Sequence, residues 1–207
     1  MPNITPPDLA ELDDDVAEEL RHLEQERGYV PYARLTLARR PKTMRALNAL
    51  ADTVMSDGTI EPGLKYLVAV VSSAAAGCVA CQANASYGAV RVGGLTSEKI
   101  EDVWLFEQSP LFTDAERSAL RLARDAAQQP SAATPDHFAE LREHYDEGEL
   151  VELMSVICLF GWNNRWNDSV GTMLEDAPVA FAEAHLSRHG WTLGKHERPQ
   201  PASGALE

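Results

Sequence analysis

Positive charge is scarce in this chain of 207 residues: 18 Lys and Arg stand against 32 Asp and Glu, a formal charge of −14. That balance argues against docking on a nucleic-acid backbone, because cations are what neutralise phosphates and release their counterions. The first residues, MPNITPPDLAELDDD, lack a basic stretch and an apolar core, so no signal peptide is expected. The longest apolar run, residues 64–81, is interrupted by Ser72 and Ser73. It falls short of the ~20 residues that cross a bilayer, and no membrane association is expected. A cytoplasmic chain follows from these readings. Strand patterning is missing as well: no segment alternates apolar and polar residues between hairpin turns. Cysteine is sparse, with three in all. There is one CxxC and neither a second CxxC nor an HxxxH, so the four-ligand set of a structural zinc site is not offered, and no metal or organic cofactor is expected.

What is present is helical periodicity. Leu9, Leu12, Val16, Leu20 and Leu23 form one stripe with acidic residues opposite, and Arg34 to Val54 also reads as helix. Pro62 suits the first turn of a helix through LKYLVAVVSSAAAG, apolar on nearly all sides and therefore buried, with Gly77 as its punctuation. Thr96 caps a helix predicted to reach Phe106. Thr113 with Glu116 forms a capping box, Thr134 followed by Pro135 opens another helix, and Asp146 with Glu149 opens LVELMSVICLFGW. Pro178 starts a shorter helix to about His189. The expected fold is all-α, one domain over 1–193, followed by a polar, Pro-rich tail over 194–207 expected to be disordered.

The segment AAAGCVACQANASYG, residues 74–88, puts Cys78 and Cys81 three apart where a helix begins. Three readings remain open: a redox dithiol, a metal half-site, and two small core residues. Reducing compartments favour a catalytic or metal-binding use of CxxC over a structural staple. Unpaired N–H groups at a helix start stabilise a thiolate, the form that attacks peroxides and disulfides, so redox chemistry is the leading reading. Cys158, inside VICLF, reads as a core residue. The histidines at 22, 137, 144, 185, 189 and 196 are scattered on amphipathic or terminal segments and read as surface residues.

Superposing Tyr66 on Glu152 sets LVAVVSSAAAG beside LMSVICLFGWN, and at offsets of twelve and fifteen it drops Cys78 and Cys81 onto Asn164 and Asn167. The match is of pattern more than identity, and it raises an internal duplication of a helical unit. Glu152 sits in an apolar helix, where an ionised carboxylate is costly unless paired. Burial would raise its pKa toward neutrality and suit it to proton transfer. A structural ion pair with Arg165 or another cation is the competing reading. The dense cluster from Trp162 to Asp168 reads as a helix-end network, or as a lining of the dithiol's cleft.

The segment LKYLVAVVSSAAAGCVACQANASYGAVRVGGLTSEKIEDVW resembles the core motif of the carboxymuconolactone decarboxylase superfamily, in its alkylhydroperoxidase D (AhpD)-like, peroxidase-related branch; LVELMSVICLFGWNNRWND resembles that branch too. The resemblance implies an AhpD-like helical fold and a thiol-dependent antioxidant. Cys81 would attack the peroxide, Cys78 would resolve the sulfenic acid as a disulfide, and an external dithiol would reduce it. A homo-oligomer, at least a dimer, is implied as well. The family's relay glutamate, twelve residues before the first cysteine, is Tyr66 here, and its histidine is replaced by Asn84 or Ala85. Asn cannot accept a proton at neutral pH. Either the relay is rebuilt, with Glu152 as base and Tyr66 as donor, or the pair exchanges disulfides. Cys78, Cys81, Glu152, Tyr66 and Asn84 are the candidate site residues. The rival readings are a non-redox lyase acting on a small lactone and a silent oligomeric scaffold.

Overall fold

A computed structural model describes residues 2–198. Among them there are helices, turns and connecting loops and no strands. A 3-10 turn, Leu9–Glu11, precedes α1 (Asp14–Arg27), α2 (Tyr32–Leu37), α3 (Pro41–Ser56), α4 (Pro62–Ala75) and α5 (Val79–Arg91). Then come α6 (Ser97–Glu101) with a 3-10 turn at Val103–Leu105, α7 (Asp114–Ala126), α8 (Pro135–Leu141), α9 (Glu147–Val170) and α10 (Asp176–His185). Further 3-10 turns lie at Ser187–His189 and Gly194–His196.

The apolar α4 is the central element, packed against α5, α7 and α9, while α5 also meets α9 and α10. Leu67, Val68, Ala69 and Val70 on four successive positions are wholly buried, as expected for a helix apolar all round. The predicted caps are in place: Thr113 with Glu116 and Asp146 with Glu149 close reciprocal boxes, and Pro62 and Pro135 sit in first turns.

Several boundaries differ from the sequence reading. The stripe from Leu9 yields a 3-10 turn and then a helix starting at Asp14. The stretch 34–54 is broken, since α2 ends at Leu37 and α3 begins at Pro41, with Arg40 at φ −136°, ψ 80°. The residue before a proline is driven out of the helical region by clash with the ring. The helix expected to reach Phe106 ends at Glu101 and tightens into a 3-10 turn, and the last helix starts at Asp176, with Pro178 in its first turn. Packing continues beyond the boundary at 193, because His196 is fully buried, against its reading as a surface residue and part of a disordered tail. Residues 199–207 of that tail lie outside the described residues. Cys158 is exposed, a correction to its reading as core. In one continuous α9, residues 151, 158 and 162 share an outer face, where Val151 and Trp162 are exposed too.

No helix among the described residues is long and apolar enough to cross a membrane.

Candidate functional site: a buried dithiol at a helix start

The turn between α4 and α5 builds the site. Gly77 adopts φ +73°, a conformation that side chains disfavour, and turns the chain so that Cys78 becomes the N-cap of α5. Its sulfur takes the place of a capping oxygen: the Cys81 amide donates to Cys78 Sγ at 3.4 Å. Both cysteines are thiols and both are buried, at 0% and 2% exposure. On the far side, Asn167 of α9 donates its Nδ2 to Cys81 Sγ at 3.2 Å. Trp191, from the segment after α10, donates its indole N–H to the carbonyl of Val79 at 2.9 Å, covering the turn that lies between the two sulfurs.

The two thiols are driven apart in acidity. Cys78 is lowered, chiefly by the hydrogen bond from the Cys81 thiol, against burial and with the help of the Cys81 and Ala80 amides. Cys81 is pushed well up by burial and by the charge on Cys78, with the Asn167 amide as a partial counterweight. The electrostatics favour the anion on Cys78 and the proton on Cys81. Asp168 raises both.

Glu152 is not the near-neutral base expected of it. Its carboxylate accepts from the Thr59 amide at 2.9 Å and the Ile60 amide at 3.1 Å, and it pairs with Lys65 Nζ at 3.2 Å. Burial alone would raise its pKa, but those amides and the ammonium together hold it below its ordinary value. The competing reading, a structural ion pair, describes it, with Lys65 as the cation. Lys65 is itself 1% exposed and also donates to the carbonyls of Val54 and Asp57. Glu152 thus clamps the loop between α3 and α4 onto α9.

Tyr66 presses its ring on Gly88 and Gly93, where a Cβ would come within 2.4 and 3.2 Å of it. Gly88 lies seven residues beyond Cys81, roughly 10 Å along a helix. Asn84 is half-buried on α5, and the amide that reaches the dithiol is Asn167's. Asn167 belongs to the polar cluster flagged in the sequence, and the 86-residue offset had paired it with Cys81, the residue it touches. The unbroken α9 runs past the point where α4 ends and α5 begins, so the two halves share contacts and a register more than a shape. Asn164, the counterpart of Cys78, is 3% exposed, and neither atom of its amide meets a partner among the described residues. His196 was read as a surface residue because its polar, Pro-rich surroundings read as tail. Among the described residues no three His, Cys, Asp or Glu side chains converge as a metal site would require.

Known proteins resemble this chain in sequence and in fold. The profile of the carboxymuconolactone decarboxylase family matches residues 41–125, which hold α3 to α7 and both thiols. Over those residues the chain resembles the carboxymuconolactone decarboxylase superfamily, and its helical fold is AhpD-like. Among solved structures, the debrominase Bmp8 is 29% identical with a TM-score of 0.79, covering 87% of this chain and 96% of its own. A cysteine-to-alanine variant of Bmp8, solved with 2,3,4-tribromopyrrole, matches at a TM-score of 0.80. An AhpD-core, peroxidase-related protein from Ralstonia eutropha is 25% identical with a TM-score of 0.77, covering 87% of this chain and 95% of its own. A peroxidase-related protein from Silicibacter, 17% identical at a TM-score of 0.74, covers 84% of this chain and 93% of its own and shares the fold. No curated protein matches significantly.

Proposed function

We propose that this protein is a dithiol-dependent reductant of small hydroperoxides, with Cys78 as the attacking thiolate and Cys81 as the resolving thiol. The observation that carries the reading is the Cys78 sulfur at the N-cap of α5, hydrogen-bonded by the Cys81 amide. The thiolate attacks the distal peroxide oxygen, the O–O bond breaks, and the alkoxide leaves and is protonated. Cys78 is left as a sulfenic acid. Cys81 then attacks that sulfur, expelling water and forming the disulfide, which an external dithiol returns to two thiols. A reducing cytoplasm and a homo-oligomer belong to the same proposal; a sedimenting mass at least twice the 22.7 kDa of one chain is expected.

The lactone-lyase reading has less support. It requires an acid–base residue near neutrality, and Glu152 is instead a paired anion. A second reading is favoured by a particular observation, the likeness to Bmp8 with a bromopyrrole bound to its cysteine variant. The same dithiol could reduce a carbon–halogen bond. Cys78 would take the bromine as a sulfenyl bromide, the carbon would gain a proton, and Cys81 would displace bromide to give the disulfide.

Consumption of hydrogen peroxide and cumene hydroperoxide in the presence of dithiothreitol tests the first reading, and bromide release from bromopyrroles tests the second. Cys78→Ser should abolish turnover. Without dithiothreitol, Cys81→Ser should stop after one equivalent, with a sulfenic acid on Cys78 trappable by dimedone. Iodoacetamide should label Cys78 with a midpoint below the usual ~8.5. Equal rates in wild type and both variants would refute both readings.

A further inference from the structure

In the resolving step the negative charge has to move. Once Cys78 has become a sulfenic acid it is neutral, and Cys81 must carry the anion at a place that is 2% exposed. The last turn of α9 sets one donor against that sulfur. Asn167 is itself buried, at 8% exposure, and its Nδ2 lies 3.2 Å from Cys81 Sγ. The direction of this bond follows from the chemistry of the thiol: its one hydrogen is already given to Cys78, so toward Asn167 the sulfur only accepts. The other end of the amide is idle. Asn167 Oδ1 is buried and meets no partner among the described residues, a cost that an asparagine held for packing would avoid. Its backbone, by contrast, is fixed twice over: the Asn167 carbonyl accepts from Gly171, at φ +64° in the C-cap of α9, and from Thr172 at 3.1 Å. The end of the helix thus holds the amide on the sulfur.

We propose that Asn167 is a catalytic residue of the resolving step, its amide stabilising the negative charge that builds on Cys81 Sγ as that sulfur displaces hydroxide from Cys78. The assignment rests on the dithiol reading above. In the reduced protein the bond joins a neutral amide to a neutral thiol. It becomes charge-assisted, and about twice as strong, only as the Cys81 proton leaves, so its gain falls on the transition state. The step balances: the S–S bond forms as the S–O bond of the sulfenic acid breaks, and the Cys81 proton, directed at Cys78, leaves with the hydroxide as water. Asn167 keeps both its hydrogens throughout. Burial and the charge on Cys78 push the Cys81 thiol up and Asn167 draws it down, so oxidation of Cys78 removes one of the opposing causes and leaves the amide in place. The other charge bearing on Cys81 is Asp168 of α9, which pairs with Lys195 at 2.8 Å. Lys65 of α4 is committed to Glu152, and His185 of α10 to Glu101.

The test uses the full chain in a Cys158→Ser background, with substoichiometric methyl methanethiosulfonate, which loads Cys78 as a methyl disulfide and needs no hydroperoxide. Mass spectrometry then follows loss of the methylthio group as Cys81 closes the disulfide. Asn167→Leu keeps the size of the side chain and removes the donor. Loading should be unchanged within about twofold. Losing a hydrogen bond to an anion raises the thiol by about one to two pH units, and because nucleophilicity rises with basicity, closure at neutral pH should slow by only roughly 3- to 15-fold. For the same reason the deficit should narrow and then reverse as pH passes the wild-type midpoint, with His196, lowered from 6.5 by burial, already neutral. Closure within twofold of wild type at neutral pH, loading slowed as much as closure, or a deficit that persists past that midpoint overturns the proposal. One further measurement needs no variant to fold: in the NMR spectrum of wild type, an Asn167 side-chain amide proton should shift when the dithiol becomes a disulfide. An amide blind to redox state overturns the proposal as well. Absence of hydroperoxide turnover, with Asn167-dependent closure intact, would overturn the substrate assignment alone and uphold this one. Loading on Cys81 in place of Cys78 would overturn both.

Discussion

Glu152 and Lys65 illustrate how residue type misleads when its partners are out of view. A glutamate in an apolar helix suggested a carboxyl with a raised pKa, but the Thr59 and Ile60 amides and a buried lysine make it an anion. Glu152→Gln leaves the Lys65 ammonium buried with only carbonyl oxygens for company. Breaking a buried pair from one side costs about 3 kcal/mol, and urea unfolding at pH 7 should show a loss of that order. The folded pKa lies below the ordinary 4.5, so the stabilisation is complete above 4.5 and is lost as pH falls through the folded value. The difference between wild type and Glu152→Gln should therefore shrink on acidification. A constant difference down to pH 2 would contradict the assignment.

At the scale of elements, the start of α5 does the work on the thiols. It needs α4 and α5 to lie close together, and glycines permit that approach. A Cβ at Gly88 would fall 2.4 Å from the Tyr66 ring, and one at Gly63 would fall 2.8 Å from Leu95. Gly88→Ala must displace the ring and should cost roughly 1–3 kcal/mol, as overpacking does. Calorimetry should show Tyr66→Leu recovering most of the loss in the double variant, because the smaller side chain vacates the contact. A second substitution that adds to the first would mean the clash lies elsewhere. The packing of α5 against α9 also explains why the 86-residue offset in the sequence carried information: Cys81 and Asn167, one pair at that offset, face one another.

At the scale of the whole molecule, the dithiol is closed over by chain from beyond α10. Trp191, 5% exposed, bonds to Val79, and His196 sits under the end of α9. Trp191→Ala should cost about 3 kcal/mol, the usual penalty for deleting a buried large aromatic. It should also open the turn, so that iodoacetamide alkylates Cys78 at least tenfold faster at unchanged pH. Faster alkylation without loss of stability would fit a mobile cover; loss of stability with unaltered alkylation would show that Trp191 is not what shields the sulfur.

The all-α class, most helix starts and the CxxC pair were legible in the chain itself, because apolar spacing, caps and turn glycines act between residues a few positions apart. Pro41 was in view too, yet the periodic stretch around it outweighed its power to end a helix. What depended on folding was which thiol carries the charge, since that follows from a shared hydrogen bond and from burial. Folding also decided that Glu152 is paired, that Cys158 faces outward and that His196 is enclosed. Each of these is set by groups far away along the chain, and only the packed structure brings them together.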